Sequence, residues 1–143
     1  MKKYTSIRSN ELTKDIKSIR TAVFIEEQGF SPSIVFDELD EIALHVVLYE
    51  DDVPIATGRI IQESKETFRF GRIAVLLERR KGGFGARIME IMEERSKPLG
   101  AEKIVLSAQS HGRGFYEKCG YHVVGEEYAI HGCPHVNMEK ELT

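Results

Sequence analysis

The sequence has 143 residues with an ordinary share of apolar and charged side chains, and this length suits a single domain spanning residues 1–143. Its formal net charge of −3 gives no indication of a nucleic-acid or membrane partner, and its 2 cysteines are too few for a disulfide scaffold. Residues 1–6 contain no apolar core of the kind a signal peptide needs, so we expect a cytoplasmic enzyme or binding domain.

Strand and helix patterns alternate along the chain. Apolar residues recur at helical spacing in some segments, and β-branched residues are concentrated in others. The predicted elements are strand 3–8, helix 12–27 capped by Ser9 or Asn10, an irregular segment 29–40, strands 43–49, 53–62 and 67–76, a helix from 84 to about 98, strand 103–107, a short helix 112–119, and strands 121–130 and 136–142. This order predicts an α/β (α+β) fold, in which a mixed sheet carries helices on both faces.

A glycine-rich turn, Arg-Lys-Gly-Gly-Phe-Gly-Ala at 80–86, lies between a predicted strand and a predicted helix. Free amides at a helix N-terminus attract anions, and glycines let a phosphate approach the backbone closely. The turn lacks the Lys-Ser/Thr of a P-loop, and Ile88 stands where a dinucleotide fingerprint needs its third glycine. It therefore indicates either a phosphate or pyrophosphate site, or a turn that uses glycine for backbone freedom alone.

Two segments resemble motifs of the GNAT superfamily, the acetyl-CoA-dependent N-acetyltransferases. Residues 80–86 are similar to its Arg/Gln-x-x-Gly-x-Gly/Ala pyrophosphate signature, and 114–121 (Gly-Phe-Tyr-Glu-Lys-Cys-Gly-Tyr) to its Phe-Tyr-x-Lys-x-Gly-Phe/Tyr segment. The order of predicted elements also matches the splayed GNAT sheet along nearly the whole chain. The resemblance therefore implies a GNAT-like acetyltransferase domain.

A narrower likeness points to the bacterial ElaA/YjcF-like branch of that superfamily. It rests on 23–29 (Val-Phe-Ile-Glu-Glu-Gln-Gly), on Asp37-x-x-Asp40 with Ala43-x-His45, and on 132–135 (Gly-Cys-Pro-His). Two departures stand out. Lys81-Gly82 stands where the superfamily signature more often has Gly-Lys, but the positive charge of the turn is kept. Val35 stands where the branch often has an acid, so the acceptor substrate cannot be inferred from the branch.

The resemblance implies acetyl-CoA as co-substrate and no metal. The pyrophosphate would bind the amides of the glycine turn, and the pantetheine arm would lie along a splayed strand in which Gly71 eases a bulge. The predicted cofactor-binding residues are Ile73, Ala74, Val75, Arg80, Lys81, Gly82, Gly83, Phe84, Gly85 and Ala86.

Tyr116 is the predicted proton donor to the leaving thiolate. A phenol with a pKa near 10 lies within about two units of a thiol near 8.5, so the proton transfer is feasible. The alternative is that Tyr116 is a core aromatic of a short helix, which is the interpretation we favour for its neighbour Phe115.

The residue that deprotonates the amine stays open at this point. Glu27, Asp37, His45, His111 and His135 are the available groups, and imidazole is the one that titrates nearest neutral pH. His45 stands among apolar residues, which favours a core histidine over a ligand-binding one, and His111 abuts a helix that it could simply cap. The predicted substrate-binding set, taken largely from the branch resemblance, is Glu27, Gln28, His45, His111 and His135.

An acidic run at 37–41 has two interpretations. It either attracts a cationic acceptor or is an ordinary solvated loop, and solvated loops are the more common case. A zinc site at His131-x-Cys133-x-His135 is disfavoured, because its spacing differs from the common structural patterns.

The sequence thus predicts an N-acetyltransferase in which a primary amine attacks the thioester of acetyl-CoA directly. Small amines, amino sugars, polyamines and protein amino groups all remain open as acceptors. A homodimer is expected only by analogy with the superfamily. The alternative function is a non-catalytic acyl-CoA-binding sensor, although a pure binder has no need of a phenol beside the thioester.

Overall fold

The computed structural model describes residues 1–142, whose strands form a seven-stranded sheet of order β1-β2-β3-β4-β5-β7-β6. The strands are β1 (Tyr4–Ser9), β2 (Leu44–Glu50), β3 (Val53–Gln62), β4 (Thr67–Val75), β5 (Lys103–Gln109), β6 (His122–Ile130) and β7 (Cys133–Glu141). β4 and β5 run parallel, and the other neighbouring pairs run antiparallel. The predicted mixed sheet is confirmed.

The helices are α1 (Lys14–Arg20), α2 (Pro32–Val35), α3 (Phe84–Ser96) and α4 (Arg113–Lys118). α1 continues without a break into a π-helical turn, Thr21–Glu27. Within the part of the chain that the structure describes, no helix is both long and apolar enough to span a membrane.

The start of α1 differs from the prediction. Its N-cap is Thr13, whose hydroxyl oxygen accepts a hydrogen bond from the Ile16 amide at 3.3 Å. The predicted caps Ser9 and Asn10 are wrong, because Ser9 is the last residue of β1 and pairs with His45 of β2. After the ladder ends, the Ser9 hydroxyl accepts a hydrogen bond from the Glu11 amide at 3.0 Å, so residues 10–11 form a bend and the helix begins only after Thr13.

Helices cover both faces of the sheet, as predicted. Val46 and Leu48 of β2 belong to the larger core cluster, which contains four buried residues of α3, whereas Val47 belongs to a second cluster with Ile16 and Ile19 of α1. Successive side chains of a strand point to opposite faces, so this alternation shows that α3 and α1 lie on opposite sides.

The sheet opens between β4 and β5. Their parallel pairing extends from Thr67 opposite Lys103 to Phe70 opposite Leu106 and then ends, although β4 continues to Val75 and β5 to Gln109. The C-terminal halves of both strands diverge beyond this point. The predicted splay is therefore present, and it places unpaired backbone groups of β4 along an open cleft.

A β-bulge accompanies the splay on the other side of β4. Thr57 pairs with Ala74 and Arg59 with Gly71, so a single residue of β3, Gly58, stands opposite two residues of β4, Arg72 and Ile73. Arg72 has φ +51°, a left-handed conformation that is uncommon for a residue with a side chain. The bulge was expected beside Gly71, but the strained residue is the arginine that follows it.

Candidate active site

The splay opens a cleft of about 910 Å³ that reaches from the glycine turn to β7. Its walls are the π-helical turn and α2 on one side, and the start of α3 with α4 on another. Gln109 of β5 donates a hydrogen bond from Nε2 to Oε1 of Gln28 at 3.0 Å, which joins the two sides of the opening. The predicted substrate residue Gln28 therefore lies at the cleft, together with Gln109, which the sequence did not single out.

The glycine turn lies at the beginning of α3, as predicted. A 3₁₀ segment, Leu77–Gly82, leads into Gly83, whose φ of +79° turns the chain into the helix. The first helical bond joins the Arg87 amide to the Gly83 carbonyl, so the amides of residues 84–86 have no partner within the helix. A Cβ built on Gly83 would meet no atom within 4 Å, which shows that the space in front of this turn is open.

The predicted cofactor residues divide into two groups. Seven of them line the cleft: Ile73, Ala74, Val75, Arg80, Gly83, Gly85 and Ala86. Lys81, Gly82 and Phe84 do not line it; Lys81 is exposed, and the ring of Phe84 packs beside that of Tyr4 at 5.6 Å between centroids. Within the glycine turn, the cleft is therefore bordered by Arg80, Gly83, Gly85 and Ala86 and not by Lys81.

Arg80 is held in place by two contacts. Its Nε donates to the Val75 carbonyl at 3.0 Å, and its two terminal nitrogens donate to the two carboxylate oxygens of Glu27. The hydrogen bonds from Arg80 lower the pKa of Glu27, and the same contacts raise the pKa of Arg80. Glu27 consequently serves as the partner of Arg80 and, although its neighbours reach the cleft, does not line it itself.

Tyr116 lies on α4 and faces the cleft. Its ring packs against Phe115 at 5.0 Å and Tyr121 at 6.3 Å between centroids, and burial raises its pKa to about 12. No hydrogen bond joins its hydroxyl to any group in residues 1–142. Tyr116 therefore contributes a protonated phenol to the lining of the cleft.

His45 lies outside the cleft. It is 0% exposed, its Nε2 donates to the Asp40 carbonyl at 3.0 Å, and its Nδ1 lies 3.4 Å from a terminal nitrogen of Arg20. Burial lowers its pKa, so the imidazole is neutral. The structure thus places this predicted substrate residue among the core polar groups, behind the cleft wall.

His111 and His135 both line the cleft, in different surroundings. His111 lies in an exposed 3₁₀ turn, Ser110–Gly112, at the edge of the opening. His135 lies on β7, is 9% exposed, and donates from Nδ1 to the Cys133 carbonyl at 2.8 Å. That bond fixes the tautomer, so the lone pair is on Nε2.

The acidic run divides into two exposed acids and two that bind arginines. Glu38 and Glu41 are exposed, as expected of a solvated loop, whereas Asp37 and Asp40 are paired with arginines. Asp40 is 6% exposed and accepts two bonds of 2.9 Å from Arg20 and one of 3.1 Å from Arg59. Asp37 accepts from Arg59 at 2.7 Å and from Arg72 at 3.0 Å. We call these five side chains, Arg20, Arg59, Arg72, Asp37 and Asp40, the charge cluster.

The three arginines of the charge cluster were not among the predicted site residues. One signal was present, because Arg20 follows Ile16 by four residues and precedes Val23 by three, which puts a charge on the apolar stripe of the helix. Buried arginines require carboxylate partners, and the acidic run supplies them. Among residues 1–142, no group of three or more His, Cys, Asp or Glu side chains is arranged to hold a metal ion.

Comparison with known proteins identifies the family. Residues 12–142 match the model of the acetyltransferase (GNAT) domain. The chain belongs to the GNAT acetyltransferase family. This acetyltransferase is 34% identical to the uncharacterized N-acetyltransferase YjcF of Bacillus subtilis, over 94% of this chain and 96% of YjcF.

Solved structures agree with that assignment. A Lactobacillus plantarum protein assigned as an N-acetyltransferase gives a TM-score of 0.90 at 31% identity, over 98% of this chain and 99% of that one. Escherichia coli ElaA gives a TM-score of 0.80 at 27% identity, over 99% and 100% of the two chains. The resemblance to GNAT acetyltransferases and their ElaA/YjcF-like branch is confirmed.

Proposed function

We propose that this acetyltransferase moves the acetyl group of acetyl-CoA to a primary amine, which attacks the thioester directly. One observation carries the proposal: a single cleft brings together the free amides of α3, the unpaired edge of β4 and the hydroxyl of Tyr116. These are a site for an anion, a site for an extended chain, and a proton donor. CoA offers a pyrophosphate, a pantetheine arm and a leaving thiolate in that order.

The pyrophosphate is assigned to the amides of residues 84–86, with Arg80 beside them. The pantetheine arm is assigned to the backbone of Ile73, Ala74 and Val75, where it replaces the missing strand between β4 and β5. Backbone amides near the bulge then lie close to the thioester carbonyl and can stabilise the oxyanion that forms on attack. Tyr116 protonates the departing thiolate.

We assign the deprotonation of the amine to His135. Glu27 is paired with Arg80, Asp37 is shared by two arginines, and His45 lies outside the cleft. His111 lines the cleft but is exposed, and no hydrogen bond orients its ring within the described residues. His135 lines the cleft with a fixed tautomer, and no donor in the described part of the chain occupies its Nε2. It is therefore the group best prepared to take a proton, directly or through one water.

The test of the proposed function is the release of free thiol from acetyl-CoA when candidate amines are supplied, with the acetylated product identified by mass spectrometry. Release that depends on the amine supports the proposal. Binding of CoA without release in the presence of every amine would instead identify a non-catalytic acyl-CoA sensor.

Replacing Gly83 by valine should weaken CoA binding by roughly tenfold or more, measured by calorimetry. The valine side chain occupies the open space in front of the α3 amides, where the pyrophosphate is assigned. Gly125→Val is a matched control, because Gly125 has φ +81° and also no atom within 4 Å of its Cβ, but lies on β6 away from the cleft. Equal loss of CoA binding in both variants contradicts the assignment.

Replacing His135 by glutamine should change the pH dependence of kcat/KM. With a base present, the enzyme can bind the ammonium form and deprotonate it, so kcat/KM should rise less than tenfold per pH unit below the amine pKa. Without the base, only the small neutral fraction of the amine reacts, so kcat/KM should rise about tenfold per pH unit up to the amine pKa. His122→Gln, an exposed position on β6, is the control, and an unchanged profile in the His135 variant removes it from the mechanism.

A further inference from the structure

Arg72 is the member of the charge cluster that reaches the cleft with its guanidinium partly free. It lies in the β4 bulge, directly before the residues of β4 that are assigned to pantetheine, and its side chain is 26% exposed. Its φ of +51° carries a cost of order 1 kcal/mol or more that a glycine would avoid. The hydrogen bonds of the Arg72 side chain to α2 and to Asp37 offset this cost.

Only Nε and Nη2 of the Arg72 guanidinium donate hydrogen bonds to other residues among 1–142. Nε donates to the Val35 carbonyl at 2.9 Å, and Nη2 donates to the Ile34 carbonyl at 2.9 Å and to Asp37 at 3.0 Å. These bonds tie α2 and the segment after it to β4. An arginine has five N–H donors, and no group in residues 1–142 accepts from the two on Nη1.

The charges around Arg72 do not balance. The charge cluster holds three guanidinium groups and two carboxylates, and the adjoining His45 is neutral, so one positive charge remains in excess. The two acids cannot offset an additional cation, because both are already bonded to arginines. Asp37 is also the only acidic residue lining the cleft within residues 1–142.

We propose that the free edge of Arg72 binds a carboxylate of the acceptor, so that the acceptors are amino acids or related compounds carrying both an amine and a carboxylate. The two N–H donors on Nη1 and the excess positive charge favour binding of a carboxylate. A polyamine would instead be repelled by the positive charge of Arg72. This rests on the proposed function, because it names the acceptor of the same cleft. It also argues against a role for Asp37 and Asp40 in attracting cations, because both carboxylates are already bonded to arginines.

The experiment compares matched amines with and without a carboxylate. Glycine, β-alanine, 4-aminobutyrate and L-lysine vary the spacing between the two groups; butylamine and cadaverine are the counterparts of 4-aminobutyrate and lysine without it. In at least one of these two pairs, we expect the carboxylate-bearing acceptor to exceed its counterpart by roughly tenfold or more in kcat/KM. Equal or lower kcat/KM for the carboxylate-bearing compounds overturns the proposal.

Arg72→Gln separates recognition from a purely structural role. The variant should raise the KM of the amino acid and bring the ratio within each pair close to one, with the counterpart amine changed little. An equal loss for both members of a pair would show that Arg72 only holds α2, and would overturn the proposal. Arg69→Gln is the matched control, because Arg69 lies on the same strand, pairs with Glu63 and does not line the cleft.

A binding measurement keeps this test separate from the proposed function. Pentanoate and pentanamide differ in charge but have similar shape, and their binding to the enzyme in the presence of CoA can be followed by calorimetry. Pentanoate should bind the wild type more tightly than pentanamide, and the difference should disappear in Arg72→Gln. Equal affinity of the wild type for pentanoate and pentanamide would overturn the proposed carboxylate site. Absence of thiol release with every amine would count against the proposed transferase activity alone.

Discussion

Replacing Tyr116 by phenylalanine should lower kcat by roughly a hundredfold while CoA affinity stays nearly the same. The departing thiolate loses its proton donor, but the ring and its contacts with Phe115 and Tyr121 remain. The substitution is also mild for the fold, because the hydroxyl has no hydrogen-bond partner in the described part of the chain. The measurement is steady-state kcat together with calorimetric binding of CoA.

Tyr49→Phe is the control for this prediction. Tyr49 also has its pKa raised to about 12 by burial and by its bond to Asp15, but it lies outside the cleft. Its variant should keep the wild-type kcat, even if its unfolding midpoint falls. If both variants lose activity equally, or if Tyr116→Phe loses none, the assignment of Tyr116 as the acid is wrong.

Replacing Asp40 by asparagine should lower the free energy of unfolding by about 3 to 5 kcal/mol, because it leaves two buried arginines short of a partner. Arg20 is 0% and Arg59 5% exposed, and neither can reach water instead. Each also has an Nε without a hydrogen-bond partner. Arg20 has no other carboxylate partner in the described part of the chain, whereas Arg59 keeps its bond to Asp37 at 2.7 Å, so Arg20 should account for most of the loss. Denaturant unfolding monitored by circular dichroism measures the change.

The same carboxylate predicts a dependence of stability on acid. Burial alone would raise the pKa of Asp40, but the hydrogen bonds and charges of Arg20 and Arg59 lower it overall. A lowered pKa in the folded state means that the contribution is complete above about pH 4, the pKa of an unfolded aspartate, and is lost as the pH falls through the folded value. Asp40→Asn should therefore lose less stability on acidification than the wild type.

Glu41→Gln is the control for both measurements, since Glu41 follows Asp40 directly but is exposed. It should leave the unfolding free energy within about 0.5 kcal/mol of the wild type. A small effect at Asp40, comparable with that at Glu41, would mean that the arginines find other partners or water when the carboxylate is lost.

Most of the fold could be predicted from the sequence because its signals are local. Alternating and helical patterns set the elements, and Gly83 at φ +79° is the kind of residue that a strand-to-helix turn requires. The site residues on those elements, such as Tyr116 and the glycine turn, could therefore be placed together through their order. The change from α1 to a π-helical turn at Thr21 has no such local signal.

The charge cluster could not be predicted, because its members are far apart in the chain. Arg20 and Asp40 are separated by 20 residues and Arg72 and Asp37 by 35, and only the folded sheet brings them together. A run of acids next to a helix predicts a solvated loop unless its partners are known. The same contacts decided where His45 lies, so the acceptor side was less predictable than the cofactor side.

The early end of the pairing between β4 and β5 gives the protein an edge strand inside its own sheet. Exposed edges are hazardous, since their free N–H and C=O groups invite other chains and lead to aggregation. Here the free edge of β4 lies inside a cleft that is also lined by residues of the π-helical turn and of α4. A free edge inside a cleft can pair with an extended ligand, while its surroundings limit pairing with a strand of another protein.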